Sequence, residues 1–323
     1  MRLPQHLSSS PFFSFSEKDD FFKAIKTVVD DDELERIHLL IARGLIPITS
    51  KEVLATMLGV NPGIIWSMVN RPHRYYRSFS IPKGKEKREI LAPKVSLKVI
   101  QKWISVQLQN NVTFLDHVFG FIPGLSHIDA ASQHTEASWI YSIDLEKFFP
   151  STPQSWVEAS LGILGYDIKS ASLVGDLCCY GGALAQGAPS SPVLSNISMS
   201  GVDGSLSALA AELGVRVTRY ADDITFSSIY EFPEALPARL SALFKDTPWS
   251  ISSKKTHLAK SPGRLKVHGL IVNDGQVKLT KGYRNKLRAY KHVIEKNKCR
   301  DKDTARLSGH LRYAAQIERH NGE

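Results

Sequence analysis

Cysteine is scarce in this chain, which has only Cys178, Cys179 and Cys299 among its 323 residues. With no C-x-x-C spacing they offer neither a zinc site nor a disulfide framework, so a reducing compartment is the expectation. No apolar run approaches the roughly 18 residues of a membrane span. The opening Met1-Arg2-Leu3-Pro4-Gln5-His6-Leu7-Ser8 lacks the apolar core of a secretory signal. The expected location is therefore cytoplasmic. Internal repeats and low-complexity linkers are absent too, which leaves one continuous chain long enough for two or three subdomains. A serine nucleophile elbow is excluded, because Gln186-Gly187-Ala188-Pro189-Ser190-Ser191-Pro192 lacks the second glycine of G-x-S-x-G. That loop feeds a helix instead, with Ser191 as cap, Pro192 in the first turn and Val193, Leu194, Ile197 and Val202 as the buried stripe.

What is present is acid in an unusual setting. Tyr220-Ala221-Asp222-Asp223 sits in the middle of a Thr/Val/Ile/Phe-rich stretch, Val215 to Phe226, that reads as two short strands joined by a tight turn. Adjacent carboxylates repel unless a cation or a proton offsets them, so a divalent metal site is the natural reading. A third acid, Asp144, ends the strand-like run Trp139-Ile140-Tyr141-Ser142-Ile143. After it come Phe148 and Phe149, expected beside the acid, and Pro150, which ends the element. The runs Asp19-Asp20 and Asp30-Asp31-Asp32 have helix-like flanks and read as solvated surface.

The net charge of +9 is unevenly spread. Residues 251 to 300 hold 14 Lys and Arg against Asp274 and Glu295, a local +12, so the rest of the chain sums to −3. Such a block suits a polyanion-binding surface. Tyr283 and Tyr290 lie among these cations, either to pack on a sugar or base or as core aromatics of an amphipathic helix.

Residues 1–75 read as peripheral helices. One opens at Asp31-Asp32-Glu33, and another is capped by Ser50 in a weak helix-turn-helix pattern around Gly59 that is more often a packing unit than a DNA reader. From Phe79 the period changes to a hairpin with a basic tip, Lys83-Gly84-Lys85-Glu86-Lys87-Arg88, suited to a triphosphate or a template backbone. A helix follows with Leu97, Ile100, Ile104 and Leu108 on one face, then a loop at Phe119–Gly124 and His134 on a further helix.

The ordered blocks, from Lys-Arg-Glu-Ile before Pro93 through Ser142–Phe149, Gln186–Pro192 and Tyr220–Asp223 to Ser253-Lys254-Lys255-Thr256, resemble a bacterial reverse transcriptase. More narrowly they resemble the retron type, over about Phe79 to the C-terminus. The resemblance implies an α+β right-hand polymerase: a helical extension at 1–75, fingers at 76–137, a palm with an antiparallel sheet at 138–275 that includes a helical insertion at about 160–185, and a basic thumb at 276–323. It implies that Asp144 and Asp222 ligate two Mg²⁺ ions with Asp223 as supporting carboxylate. Lys255, or else Lys254, becomes the proton donor to pyrophosphate. Phe149 falls at the steric gate against a ribose 2′-OH, and Gln186 and Gly187 line the nucleotide and template groove. Lys83, Lys85 and Arg88 would meet the triphosphate, while Lys278, Lys281, Arg284, Lys286, Arg288 and Lys291 would track an RNA–DNA duplex.

The implied function is RNA-directed DNA synthesis from deoxynucleoside triphosphates on a structured noncoding RNA. Priming from a 2′-OH would give a branched RNA–DNA product, in phage defence beside a separate effector protein. Other expectations are a reverse transcriptase of the abortive-infection or diversity-generating lineages, or an RNA-binding scaffold or antitoxin. Two elements depart from the retron pattern. Ala130-Ala131-Ser132-Gln133-His134 stands where Asn-Ala-x-x-His is usual, and Val267-His268-Gly269 where Val-Thr-Gly is usual. His134 and His268 accordingly take either a structural role or an RNA contact. No room is expected for the long maturase or endonuclease extension of group II intron proteins.

Overall fold

A computed structural model describes residues 3–84, 86–296 and 301–322. The chain begins with α1 (Gln5–Ser9), α2 (Lys18–Ile25), α3 (Asp31–Ala42), α4 (Lys51–Leu58) and α5 (Pro62–Asn70). A single 3₁₀ turn at Pro72–Arg74 leads into the hairpin β1 (Tyr76–Lys83) and β2 (Glu86–Pro93), and then into α6 (Val95–Asn111) and α7 (His127–Ser132). Next come β3 (Trp139–Asp144), α8 (Gln154–Leu164), α9 (Ile168–Cys178), the short hairpin β4 (Cys179–Tyr180) and β5 (Ala183–Leu184), and α10 (Ser191–Glu212). The remainder is β6 (Arg216–Tyr220), β7 (Asp223–Ser228), α11 (Leu236–Phe244), β8 (His257–Lys260), β9 (Lys266–Val267), β10 (Leu270–Ile271), α12 (Lys281–Glu295) and α13 (Asp301–His320).

Two compact units divide these elements, one formed by residues 1–115 with 146–201, the other by 116–145 with 202–323. In the first, local chemistry sets the helix ends. Asp30 accepts from the Glu33 amide at 2.7 Å, so one member of the acidic run is a cap, and Asp31, Asp32 and Glu33 complement the positive end of α3. Asp19 and Asp20 are exposed in the first turn of α2. Ser50 caps α4 through the Val53 amide, and Gly59, at φ 64°, ends it. These helices share a core with α6, α8 and α9, centred on Phe21, Ile37, Leu54, Trp103, Leu161 and Leu177. Trp103 donates its indole N–H to the Ser10 carbonyl, and Gln107 donates to Leu7, Ser8 and Ser10, which ties the N-terminal segment to α6.

Two local expectations need correction. Ser191 is the first residue of α10, and its hydroxyl donates to the Ala185 carbonyl at 2.7 Å instead of capping an amide. The expected stripe of that helix, Val193, Leu194, Ile197 and Val202, is buried. His134 lies beyond the end of α7, in a turn. Cys178 and Cys179 are buried thiols, that of Cys178 pushed up to about 12 by burial, and Cys299 lies outside the described residues.

The second unit is built on a four-stranded antiparallel sheet ordered β6-β7-β3-β8. Ile143, Ile224 and Phe226 lie on one face of it and Ile140 on the other, with the second apolar cluster, all at 0–1 % exposure. The β6–β7 hairpin closes through Ala221 and Asp222 alone, with Tyr220 opposite Asp223 and Ala221 in the left-handed region at φ 59°. A second apolar cluster gathers Ile128, Leu265, Val267, Leu270, Val277 and Ile317 around β9, β10 and α13. Among the described residues no single helix is long and apolar enough to cross a membrane.

Candidate active site

The acids meet because three separate backbone contacts hold the end of β3. Asp144 lies opposite Asp223 in the β3–β7 register, the Leu145 amide donates to the Asp222 carbonyl at 2.9 Å, and the Ser252 amide donates to the Asp144 carbonyl at 2.8 Å. Burial first, and then the neighbouring charges of Asp144 and Asp223, raise the pKa of Asp222 above the usual carboxylate range. A hydrogen bond from its own backbone and the charge of Lys255 oppose that rise. Lys255 Nζ donates to Asp144 Oδ2 at 2.5 Å, whereas Lys254 is exposed beside it. The grouping expected from the sequence therefore divides into two acids plus one. Asp223 Oδ2 faces His268 Nδ1 at 3.1 Å, and the His268 ring also packs 5.3 Å from that of Tyr220. His268 holds this position from the tight β9–β10 turn, at φ 49° next to Gly269 at φ 81°.

Among the described residues no three His, Cys, Asp or Glu side chains form a closed metal cage. An adjoining pair of carboxylates fits a hard divalent cation well all the same, since Mg²⁺ commonly takes one or two carboxylates and completes its shell with substrate phosphates and water. The ammonium on Asp144 already occupies the place where positive charge is favourable.

Behind the turn lies a brace that sequence reasoning missed. Arg219, wholly buried, makes a bidentate pair with Asp203 of α10, both N···O distances being 2.6 Å, and its remaining nitrogen donates to the Ala221 carbonyl at 3.1 Å. His117 Nε2 lies 3.6 Å from the same Asp203. Arg219's own amide donates to the His117 carbonyl, and its carbonyl accepts from the amides of Phe119 and Gly120. A Cβ on Gly120 would stand 2.2 Å from the Ala221 nitrogen, so glycine is required for this close approach. The signal in the sequence was an arginine within a Val/Thr strand and a lone acid on an apolar helix, residue types that are buried only when paired.

His134 is also buried. It bonds Ser227 Oγ at 2.6 Å and Thr218 Oγ1 at 2.8 Å, and burial foremost lowers its pKa to about 3. It is a neutral ring tying α7's turn to β6 and β7.

In the first unit, the Gln186 carbonyl accepts from the Leu91 amide of β2 at 2.9 Å. Gly187, at φ 125°, lies so close to β2 that a Cβ would come within 2.8 Å of Ile90 Cγ2. Gln186 and Gly187 are thereby joined to the strand that carries the half-buried Arg88. Lys83 pairs with Glu86 in the hairpin register, and Lys85 lies outside the described residues. Phe149 is partly buried against the first unit's core, its ring 5.5 Å from that of Phe148.

On α12, Lys281, Arg284, Arg288 and Lys291 recur at helical spacing and are exposed, as is Lys286. Tyr283, Leu287, Tyr290 and Ile294 form the opposite, half-buried stripe. Tyr283 bonds His310 of α13 at 2.6 Å, and Tyr290 packs against the same ring, so both tyrosines serve the helix pair. Lys278, just before the helix, is half-buried and 3.5 Å from Asp274.

Residues 81–272 match the family of the reverse transcriptase (RNA-dependent DNA polymerase). The antiparallel sheet with acids at its strand ends is the palm of a right-hand polymerase that makes DNA on RNA, from a template RNA and deoxynucleoside triphosphates. The chain is 34 % identical over 224 residues to the retron Ec86 reverse transcriptase of Escherichia coli, covering 68 % of this chain and 70 % of that one. To the retron Mx65 reverse transcriptase of Myxococcus xanthus it is 30 % identical over 321 residues, covering 91 % and 73 %. It belongs to the retron-type reverse transcriptases. Among solved structures, telomerase from Candida albicans in complex with a fragment of telomeric RNA is similar at TM-score 0.47 and 12 % identity, covering 68 % of this chain and 49 % of that one, too distantly to bear on the site.

Proposed function

We propose that the chain copies a structured noncoding RNA into DNA, priming from a 2′-OH of that RNA to leave a branched RNA–DNA product, as part of an antiphage system with a separate effector protein. The observation that carries the catalytic part is the meeting of Asp144 and Asp222 beside Lys255. The likeness to retron enzymes supports the branched product and the defence role.

Asp144 and Asp222 would hold Mg²⁺, as two ions. When bound, these supply charge neutralisation at the triphosphate and activation of the primer hydroxyl. Lys255 keeps Asp144 paired until the nucleotide arrives. Its Nζ then passes a proton to the leaving pyrophosphate oxygen as the phosphodiester bond forms, and solvent restores that proton. Asp223, turned to His268, acts as the supporting carboxylate that fixes the turn. Phe149 excludes the ribose 2′-OH by its bulk, and Gln186 and Gly187 line the nucleotide groove with Lys83, Lys85 and Arg88 on the triphosphate. The cationic face of α12, together with Lys278, follows the duplex by its phosphates.

The test is to express the gene with its native flanking DNA and to isolate total nucleic acid. A short DNA that vanishes with Asp222→Asn and stays joined to RNA until debranched is the expected result. DNA with no linked RNA would overturn 2′-priming while leaving the polymerase in place.

A further inference from the structure

Beyond the site of synthesis, the first unit carries a second charged surface that no assigned role uses. From Val53 to Lys85 the sequence contains no Asp or Glu, and Arg71, Arg74, Arg77, Lys83 and Lys85 are its only Lys or Arg residues. The structure gathers the first three along one continuous path, in which the 3₁₀ turn Pro72–Arg74 packs on both α5 and β1. Arg71, His73, Arg74 and Arg77 are all exposed. Two aromatic rings accompany them. On α5, Ile65 and Met68 enter the core while Trp66 stays 44 % exposed, with the Arg71 guanidinium 5.3 Å from its ring centroid. On β1, Phe79 is 43 % exposed, with Arg77 at 5.5 Å.

An exposed Trp and Phe, each with an arginine over its ring, leave hydrophobic area in water that folding does not require. Stacked ring and guanidinium make a ready platform for a flat base, and the arginines supply charge for the phosphate on either side of it. A duplex hides its base faces, so this surface fits an unpaired strand.

We propose that Trp66, Arg71, Arg74, Arg77 and Phe79 bind an unpaired segment of the template RNA by base stacking and phosphate contacts. The inference rests on the RNA-templated reading for the identity of the strand. It gives the N-terminal helices a job in gripping the RNA in addition to packing.

The test uses a labelled oligo(rU) 20-mer and a 20-bp RNA duplex in anisotropy titrations across NaCl concentrations. Extension of poly(rA)·oligo(dT) and a thermal melt are measured on the same preparations. The triple variant Trp66→Ala/Arg71→Ala/Arg74→Ala is expected to weaken oligo(rU) binding by about tenfold or more. Its salt slope should fall by about 1.4, at about 0.7 per lost arginine on a single strand. Melting should stay near wild type, whereas extension should need more poly(rA)·oligo(dT) to reach its wild-type maximal rate. Trp66→Ala alone should weaken binding by about fivefold or more, and Trp66→Tyr should restore most of it, because a tyrosine still stacks. Oligo(rU) affinity within twofold of wild type would overturn the proposal and leave the patch to a protein partner. An equal loss on the duplex would overturn it as well, by removing stacking as the cause. If the wild-type chain fails to extend poly(rA)·oligo(dT), the polymerase reading falls, and the binding titrations still decide this surface.

Discussion

The acid-bearing hairpin and the cationic helix α12 both concentrate charge of one sign, and they do so by opposite means. Around Asp222 the charge is crowded and partly buried, with a left-handed Ala221, and each neighbouring acid is answered by a specific partner, Lys255 or His268. On α12 the cations are spread at helical spacing in water, and no strain is needed to display them. The first arrangement depends on residues brought from far along the chain, the second on the helical period alone. Chemistry at a point needs long-range registration, whereas tracking a phosphate backbone needs only a repeated face.

The contrast is broken most severely at the turn. Asp222→Asn should lower incorporation of labelled dTTP on poly(rA)·oligo(dT) by at least about 10³-fold, the effect of roughly 4 kcal/mol of lost charge stabilisation. Binding of the RNA–DNA hybrid should be retained. Asp203→Ala leaves the buried Arg219 guanidinium without its carboxylate, so urea unfolding of the second unit should show about 3–5 kcal/mol of destabilisation. Replacing the pair together, as Asp203→Leu/Arg219→Met, should recover most of that stability. If the single variant cost no more than an exposed ion pair does, the brace behind the turn would be decorative.

Smaller effects sharpen the comparison. Lys255→Ala should slow single-turnover incorporation by about 10²-fold, and Lys254→Ala should have little effect. His134 supplies a pH signature. Its pKa is about 3 in the folded chain against 6.5 for the free group, so the unfolded chain binds the extra proton between those values. Its contribution to stability is complete above pH 6.5 and is lost as pH falls towards 3, by up to about 1.4 kcal/mol per unit. His134→Gln, which keeps hydrogen bonds to Ser227 and Thr218, should flatten the acid limb of a stability-versus-pH curve between pH 6.5 and 5. Smallest of all, Arg288→Ala should lower the salt slope of hybrid binding by about one and the affinity only a few-fold. A large catalytic loss from Arg288→Ala would erase the distinction between the two regions.

The local parts of this architecture were legible in the chain. Alternating Val, Thr and Ile around Tyr220–Asp223, and the apolar run ending at Asp144, announce strands and a tight turn through side-chain period alone. The amphipathic pattern of α12 is equally plain. Contacts between distant segments were not legible: Lys255 meets Asp144 across 111 positions and His268 meets Asp223 across 45. Nothing local marks such partners. The four-residue hairpin β4–β5 was hidden for a related reason, since Cys179-Tyr180 and Ala183-Leu184 are too short to show a period. The acidic run at Asp30 was misjudged in part because a capping oxygen and a solvated one look alike in sequence.

One consequence follows from the turn at Ala221 and Asp222. A hairpin closed by two residues has no slack. Adding a single residue there, whatever its identity, would slide β7 by one position against β6 and β3 and turn every side chain to the other face. Ile224 and Phe226, now at 0 % exposure, would move to the face where the buried Thr225 and Ser227 stand beside His134, and Asp223 would lose its place opposite Asp144. At this corner of the molecule length is under tighter constraint than side-chain identity, and a library of insertions should show a gap there even where substitutions of Ala221 survive.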